Sequence, residues 1–172
     1  MIYICGLYGV AEAVAQVQPS HVISITDPET PAPRVPGISL ARHLKLEFHD
    51  VAEPHTMWVA PDNEHIWQII AFGAEWNGAS PLLAHCHAGA SRSTAAAVIV
   101  ASLAAEGREQ ELALLLRARA PHADPNRRMI ALADALLGRG GRLSAAVEAM
   151  GPAIPLGNAG PLVHLWLGPS RQ

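Results

Sequence analysis

The chain has 172 residues, room for one domain and too few for two. Half of the residues are hydrophobic, 16% are charged and the net charge is −3, which excludes a disordered chain and a surface built to neutralise nucleic-acid phosphates. Two cysteines, Cys5 and Cys86, cannot make a disulfide scaffold, and the longest apolar run, Ala95 to Ala105, is shorter than the roughly 20 residues that cross a bilayer.

In chain order, Ile2–Cys5 is a short apolar run with aromatic and β-branched residues and predicts a strand ended by Gly6. Val10–Val17 predicts a helix that stops before Pro19, and His21–Thr26 a second strand. The segment Asp27–Gly37 holds four prolines and reads as a loop. In His43–Phe48, Leu44, Leu46 and Phe48 share one face at period two, a third strand. Asp62–Trp76 puts Ile66, Ile69, Ile70 and Gly73 on one helical face, with Asp62 after Pro61 at the start. Pro81–His85 predicts a buried strand, and Ser93–Glu106 an apolar helix closed by Gly107. Arg108–Ala118, Arg127–Leu137 (capped by Asn126) and Leu143–Met150 predict three more helices. From Gly151 the chain is rich in Gly and Pro and then turns apolar at Leu162–Leu167. The expected organisation is therefore one domain over 1–150 and a tail over 151–172 that either docks on it or lies loose. The order of elements favours an α/β sandwich with a mostly parallel sheet. In such sheets ligands bind beyond the carboxyl ends of the strands, so the segments after each strand are where function is sought.

After Pro81–His85 comes His85-Cys86-His87-Ala88-Gly89-Ala90-Ser91-Arg92-Ser93. A buried strand runs into a loop of small residues that opens a helix. Small side chains let backbone N–H groups turn inward around an anion, and the helix N-terminus adds partial positive charge at the same point. Arg92 offers a planar, two-pronged donor for phosphate oxygens. A thiol at the base of such a field is held as the nucleophilic thiolate, so Cys86 and an oxyanion cradle share one loop. Away from such a loop, a lone cysteine is usually a small buried core residue. His85, Cys86 and His87 do not complete the four-ligand set of a zinc site, so no metal is expected.

This loop resembles the signature of the cysteine-based protein tyrosine phosphatase superfamily, and most of Ile2 to Leu137 is similar to its dual-specificity members. The motif is His-Cys, five residues, Arg, then Ser or Thr, with Gly three after Cys; His85, Cys86, Gly89, Arg92 and Ser93 all match. Chance agreement at Gly89, Arg92 and Ser93 around a given cysteine is well under about 1 in 1,000. The opening strand and the late Pro125-Asn126 also resemble that family, so the likeness runs over most of Ile2 to Leu137. The low lysine content and abundance of alanine resemble a bacterial member.

The resemblance implies a protein tyrosine phosphatase-like fold with a sheet of four to five strands flanked by helices. It implies a cytoplasmic phosphoprotein phosphatase, specific for tyrosine or of dual specificity, that needs no cofactor. Cys86 would be the nucleophile, and Arg92 with the backbone of His87, Ala88, Gly89, Ala90 and Ser91 would hold the phosphate. His85 would steady the loop, Ser93 would assist the leaving sulfur, and Pro125-Asn126 would cap a helix. The partner expected is a phosphorylated protein or another phosphomonoester, with no nucleic acid and no membrane; oligomeric state has no sequence signature. Some relatives protect an oxidised nucleophile with a neighbouring thiol, a role open to Cys5 beside its alternative as a core residue.

Expelling an alkoxide needs a proton donor, and the second step needs a base. Asp50 follows the third strand, at a strand carboxyl end, and the resemblance favours it. Asp62 is the alternative, with a simpler explanation as a helix N-terminal residue; Glu53 and His55 lie in the same loop as Asp50. The chain has tyrosines only at Tyr3 and Tyr8, so it lacks the tyrosine-bearing loop that deepens the pocket of tyrosine-specific relatives, and a shallow pocket is expected. Phosphoinositide-directed relatives carry Lys or Arg inside the loop; here those places hold His87, Ala88, Ala90 and Ser91. The other readings are a non-catalytic phosphopeptide-binding module of the same fold, a phosphatase for a phospholipid or small metabolite, and a sulfurtransferase.

Overall fold

The structure, a computed structural model, describes residues 1–54 and 56–167. Five strands form one sheet: β1 (Ile2–Gly6), β2 (His21–Thr26), β3 (His43–Glu47), β4 (Leu82–Cys86) and β5 (Val163–Leu165). Their order is β3-β2-β4-β1-β5. The first four run parallel, and β5 pairs antiparallel with β1. The helices are α1 (Val10–Val17), α2 (Asn63–Glu75), α3 (Arg92–Ser102), α4 (Glu109–Arg119), α5 (Arg127–Leu136) and α6 (Arg142–Glu148). This is the expected α/β architecture, and its four parallel strands end together beside the Cys86 loop.

β4 is the central strand, and all five of its residues are buried, as a strand covered on both faces must be. Its even-numbered residues and Ile23, Ile25, Leu46 and Phe48 face a large core shared with α2 to α6. The opposite face is thinner: Cys5, Val22 and Leu83 pack against Val10, Ala13 and Val35 of α1 and the proline-rich loop. α3 runs under the sheet and is buried from Arg92 to Val100, so its apolar pattern has no exposed stripe.

Most helix and strand ends differ from expectation by one or two residues, and two differences bear on the site. α3 stops at Ser102, not at Glu106, so Gly107 is not its closing residue. The ladder tightens there: Leu103, Ala104 and Ala105 donate three residues back, and Arg139 Nη2 takes the Ser102 carbonyl at 3.1 Å. The strand expected over Pro81–His85 is shifted by one residue to Leu82–Cys86, so Cys86 ends β4, paired with Gly6. In the tail, Val163–Leu165 adds β5 to the sheet edge, and Gly160 N–H donates to the Ala88 carbonyl at 2.8 Å. Among the described residues no helix is long and apolar enough to cross a membrane.

Candidate active site

The Cys86 loop is held from outside by its carbonyls. Leu7 N–H donates to His87 O at 3.0 Å, Gly160 N–H to Ala88 O at 2.8 Å, and Asp124 N–H to Ala90 O at 2.9 Å. Thr94 Oγ1 donates to both Ala90 O (2.5 Å) and Ser91 O (2.8 Å). In a planar trans peptide the N–H points opposite to the C=O. Pulling these carbonyls outward therefore turns the N–H groups of the loop inward. None of them donates to a protein carbonyl among the described residues, and no side chain caps the first turn of α3. The hollow is a set of convergent, unspent donors at a helix N-terminus, which is what a tetrahedral oxyanion requires.

Gly89 makes the tight turn. Its φ is +75°, and a Cβ there would lie 2.6 Å from Gly6 N, so the loop rests directly on the end of β1. Cys86 Sγ lies 3.1 Å from Ser93 Oγ. Arg92 is buried, and its Nη1 donates to Asp27 Oδ1 at 2.8 Å and to Phe48 O at 2.5 Å. Those contacts fix the guanidinium plane, while its buried Nε has no partner among the described residues. A buried donor left unpaired is costly, and a bound oxyanion would satisfy it.

Asp50 is exposed at the rim. Both of its donors meet Oδ1: Ser91 Oγ at 2.7 Å and Asn126 Nδ2 at 2.8 Å. Asn126 also accepts from Met129 N–H at 3.1 Å and so caps α5 as expected. Asp62 caps α2 instead, accepting from His65 N–H at 3.0 Å. Partial burial raises its carboxyl, but the His65 hydrogen bonds and charge outweigh this and hold it below the ordinary carboxylate range. Glu53 is exposed in the loop after Asp50, and His55 lies outside the described residues.

His85 is fully buried, with Nε2 2.6 Å from Ser24 Oγ. Burial, and then the His43 charge, push its pKa down to about 4, so it is neutral at physiological pH. Cys5 is buried on β1 and pairs in register with His85. Burial, reinforced by Cys86, pushes its thiol up to about 12.

The structure thus gathers His85, Cys86, the loop from His87 to Ser91, Arg92, Ser93 and Asp50 in one place, and leaves Asp62 at a helix start. Asp27 and Gly160 also touch the site, through Arg92 and the Ala88 carbonyl, without a signal in the motif. Asp27 was within reach of sequence reasoning, because it is the first residue after β2 and the rule about strand ends applies to it. Beside the loop a hollow of about 730 Å³ opens between Ala88, Ala90, His122, Arg127 and the tail from Gly151 to Leu156.

No family model matches the chain, and no curated protein matches it by sequence. Solved structures match its fold. The structure of DUSP15 aligns with a TM-score of 0.61 and 22% identity, over 86% of this chain and 90% of its own. The Yvh1 phosphatase domain from Chaetomium thermophilum aligns at 0.59 and 18% identity, over 83% and 93%. The PTP-2 phosphatase of Cydia pomonella aligns at 0.57 and 20% identity, over 78% and 84%. The fold is that of the dual-specificity phosphatases.

Proposed function

We propose that this protein is a metal-independent phosphomonoester hydrolase of the cysteine-dependent, dual-specificity type, acting on phosphoproteins through a phospho-cysteine intermediate. The observation that carries the reading is the outward capture of the loop carbonyls around Cys86, which turns the loop N–H groups inward, beside a buried Arg92 whose Nε has no partner among the described residues. Fold likeness supports the reaction class, and the chemistry of the loop supports the rest.

The Cys86 thiolate attacks phosphorus in line with the leaving oxygen. The loop N–H groups and Arg92 bind the equatorial oxygens, whose charge is spread in the transition state. Asp50, entering protonated, delivers its proton to the leaving alkoxide or phenoxide and becomes a carboxylate. In the second step Asp50 takes a proton from water, whose oxygen attacks phosphorus and breaks the P–S bond. The Ser93 hydroxyl, 3.1 Å from Sγ, hydrogen-bonds the departing thiolate. Inorganic phosphate leaves and both residues return to their starting states. A reducing compartment such as the cytoplasm keeps Cys86 in the reduced, unoxidised state this cycle needs.

The test is hydrolysis of an aryl phosphate by purified protein in the presence of a chelator. Turnover that vanadate inhibits and that Cys86→Ser abolishes is the expected result. Absence of turnover between pH 5 and 8, with phosphopeptide bound and unchanged, would replace the reading with that of a binding module.

A further inference from the structure

A polar seam runs through the face of the sheet that α1 covers. Side chains alternate across a strand, and Cys5, Val22 and Leu83 pack on the α1 side, whereas Ile23, Ala84 and Cys86 pack on the other. Ser24 and His85 therefore stand on the α1 side, and the pairing of Val22 with His43 puts His43 there too. The three side chains form a chain: His43 Nε2 lies 2.7 Å from Ser24 Oγ, which lies 2.6 Å from His85 Nε2. Ser24 and His85 are fully buried, and His43 is half-buried on the edge strand.

Counting protons constrains this chain. A hydroxyl has one proton and two lone pairs, and among the described residues the buried Ser24 hydroxyl has no acceptor for its proton other than the two ring nitrogens, so it donates to one and accepts from the other. With both rings neutral, one Nε2 carries a hydrogen and the other does not. When His43 is protonated its Nε2 can only donate. The Ser24 hydroxyl then turns to His85 Nε2, and the His85 proton must sit on Nδ1. The net uptake is one proton from solvent, held by His43; His85 keeps one proton and changes only the nitrogen that holds it. The Nδ1 of His85 is buried with no hydrogen-bond partner among the described residues, so the Ser24 hydroxyl is the one polar group that its ring meets.

We infer that His43 is a positioning residue for the Cys86 loop: through the Ser24 hydroxyl it dictates which ring nitrogen of His85, the residue next to Cys86, carries the proton, and so whether that ring is tied to Ser24 as donor or as acceptor.

Other charges on this face bear on when His43 titrates. Lys45 shares its strand, Arg42 stands just before it, α1 carries Glu12, and the covering loop carries Asp27, Glu29 and Arg34. Burial first, and then Lys45, lower the His43 pKa from 6.5, so protonation begins only on the acid side of neutrality.

Nitrogen-15 NMR of the histidine rings tests the relay without any substrate. In the wild type, acidification that protonates His43 leaves His85 in its Nδ1–H form. His43→Leu and Ser24→Ala shift the His85 tautomer populations and abolish their dependence on His43. His43→Gln, whose neutral amide can donate to or accept from Ser24, keeps a partner for the hydroxyl but removes the dependence of the His85 tautomer on pH above about pH 5, where His85 itself is neutral. An Nε2–H His85 beside a protonated His43, or wild-type tautomer populations in folded Ser24→Ala and His43→Leu, overturns the inference. Its kinetic arm alone rests on the phosphatase reading. There, kcat/KM for an aryl phosphate at pH 6 falls roughly tenfold in His43→Leu, the worth of about one hydrogen bond, and returns in His43→Gln. An unchanged kcat/KM in His43→Leu, with active wild type, overturns the positioning role. An inactive wild type whose rings still titrate together counts against the phosphatase reading and supports the relay.

Discussion

Asn126 joins two tasks in one side chain: its Oδ1 caps α5 by accepting from Met129 N–H at 3.1 Å, and its Nδ2 donates to Asp50 Oδ1 at 2.8 Å. The second contact, shared with Ser91, holds over the Cys86 loop the carboxyl group to which the mechanism assigns both proton transfers. The two tasks can be separated. Asn126→Ser retains a capping oxygen and loses the donor to Asp50, so stability should change by less than about 0.5 kcal/mol while kcat falls severalfold on substrates with poor leaving groups. Asn126→Ala should lose the cap as well, at about 1 kcal/mol. Chemical denaturation together with a series of aryl phosphates of rising leaving-group pKa distinguishes the two; equal kinetics in both variants and wild type would remove Asn126 from the account of Asp50.

Asp27 is the anionic partner of a buried guanidinium. Removing one side of a buried pair leaves an uncompensated charge, but the Asp27 side chain is 34% exposed, so solvent screens part of the cost. Asp27→Asn should destabilise the free protein by about 1–2 kcal/mol and loosen the guanidinium plane. Vanadate or phosphate supplies negative charge to Arg92 and should restore part of the lost melting temperature. The expected signature in a thermal-shift titration is a lower starting temperature with a smaller oxyanion-induced rise at a given concentration, in step with a vanadate inhibition constant raised about tenfold. A variant with wild-type vanadate inhibition would mean that Phe48 O alone orients Arg92.

The Asp50 and Asp62 assignments predict opposite phenotypes. Asp50→Asn should leave stability near wild type and make hydrolysis steeply dependent on leaving-group pKa. Asp62→Ala should cost about 1 kcal/mol through loss of the α2 cap and leave that dependence unchanged. If Asp62→Ala steepens it instead, the acid has been assigned to the wrong aspartate.

The segment from His85 to Ser93 was legible because everything it needs is contiguous: a buried strand, small residues, and a helix start. Asp50 was legible because strand ends gather at one edge of a parallel sheet. Partners set by long-range packing were not. Asp27 opens a proline-rich loop, and its relevance depends on a guanidinium 65 positions away. The end of α3 depends on Arg139 reaching the Ser102 carbonyl, which no local pattern of alanines encodes. The three residues of β5 carry too short an alternation to read, and the exposed edge of β1 is what selects them. The tail then contributes Gly160 to the loop, a contact that only the completed sheet creates.

Close approach of backbones at the loop makes glycine substitutions informative. Gly89→Ala combines φ +75° with a Cβ 2.6 Å from Gly6 N and 2.7 Å from Cys5 C, atoms that cannot move without breaking β1. It should cost more than about 2 kcal/mol and eliminate turnover. Gly6→Ala is milder in kind: its Cβ would meet Ala159 Cβ at 2.8 Å and His87 O at 3.1 Å. Pairing it with Ala159→Gly should relieve the side-chain clash and recover part of the stability but not full activity, because the His87 carbonyl still has to shift. Denaturation midpoints and kcat of the single and double variants check this; full recovery of both would mean the carbonyl contact is inconsequential.

The buried His85 ties stability to pH with a definite sign. Its folded pKa is about 4 against 6.5 for the free group, with burial the main cause and the His43 charge the next. Above pH 6.5 the ring is neutral whether the chain is folded or not, and its contribution is constant. Below that, the unfolded chain takes up a proton the folded one resists, so stability falls as pH drops from 6.5 towards 4, by about 3 kcal/mol in all. His21, His43 and His122 are each lowered by burial and add losses of the same sign. The window from pH 6.5 to 5 isolates the histidines, because the depressed carboxyls of Asp62, Glu109 and Glu111 titrate below it. Urea denaturation at pH 7, 6 and 5 should show the decline, and His85→Gln, which cannot titrate, should show a shallower one. An identical slope in wild type and variant would mean that His85 accepts its proton in the folded state, contrary to its burial against Ser24.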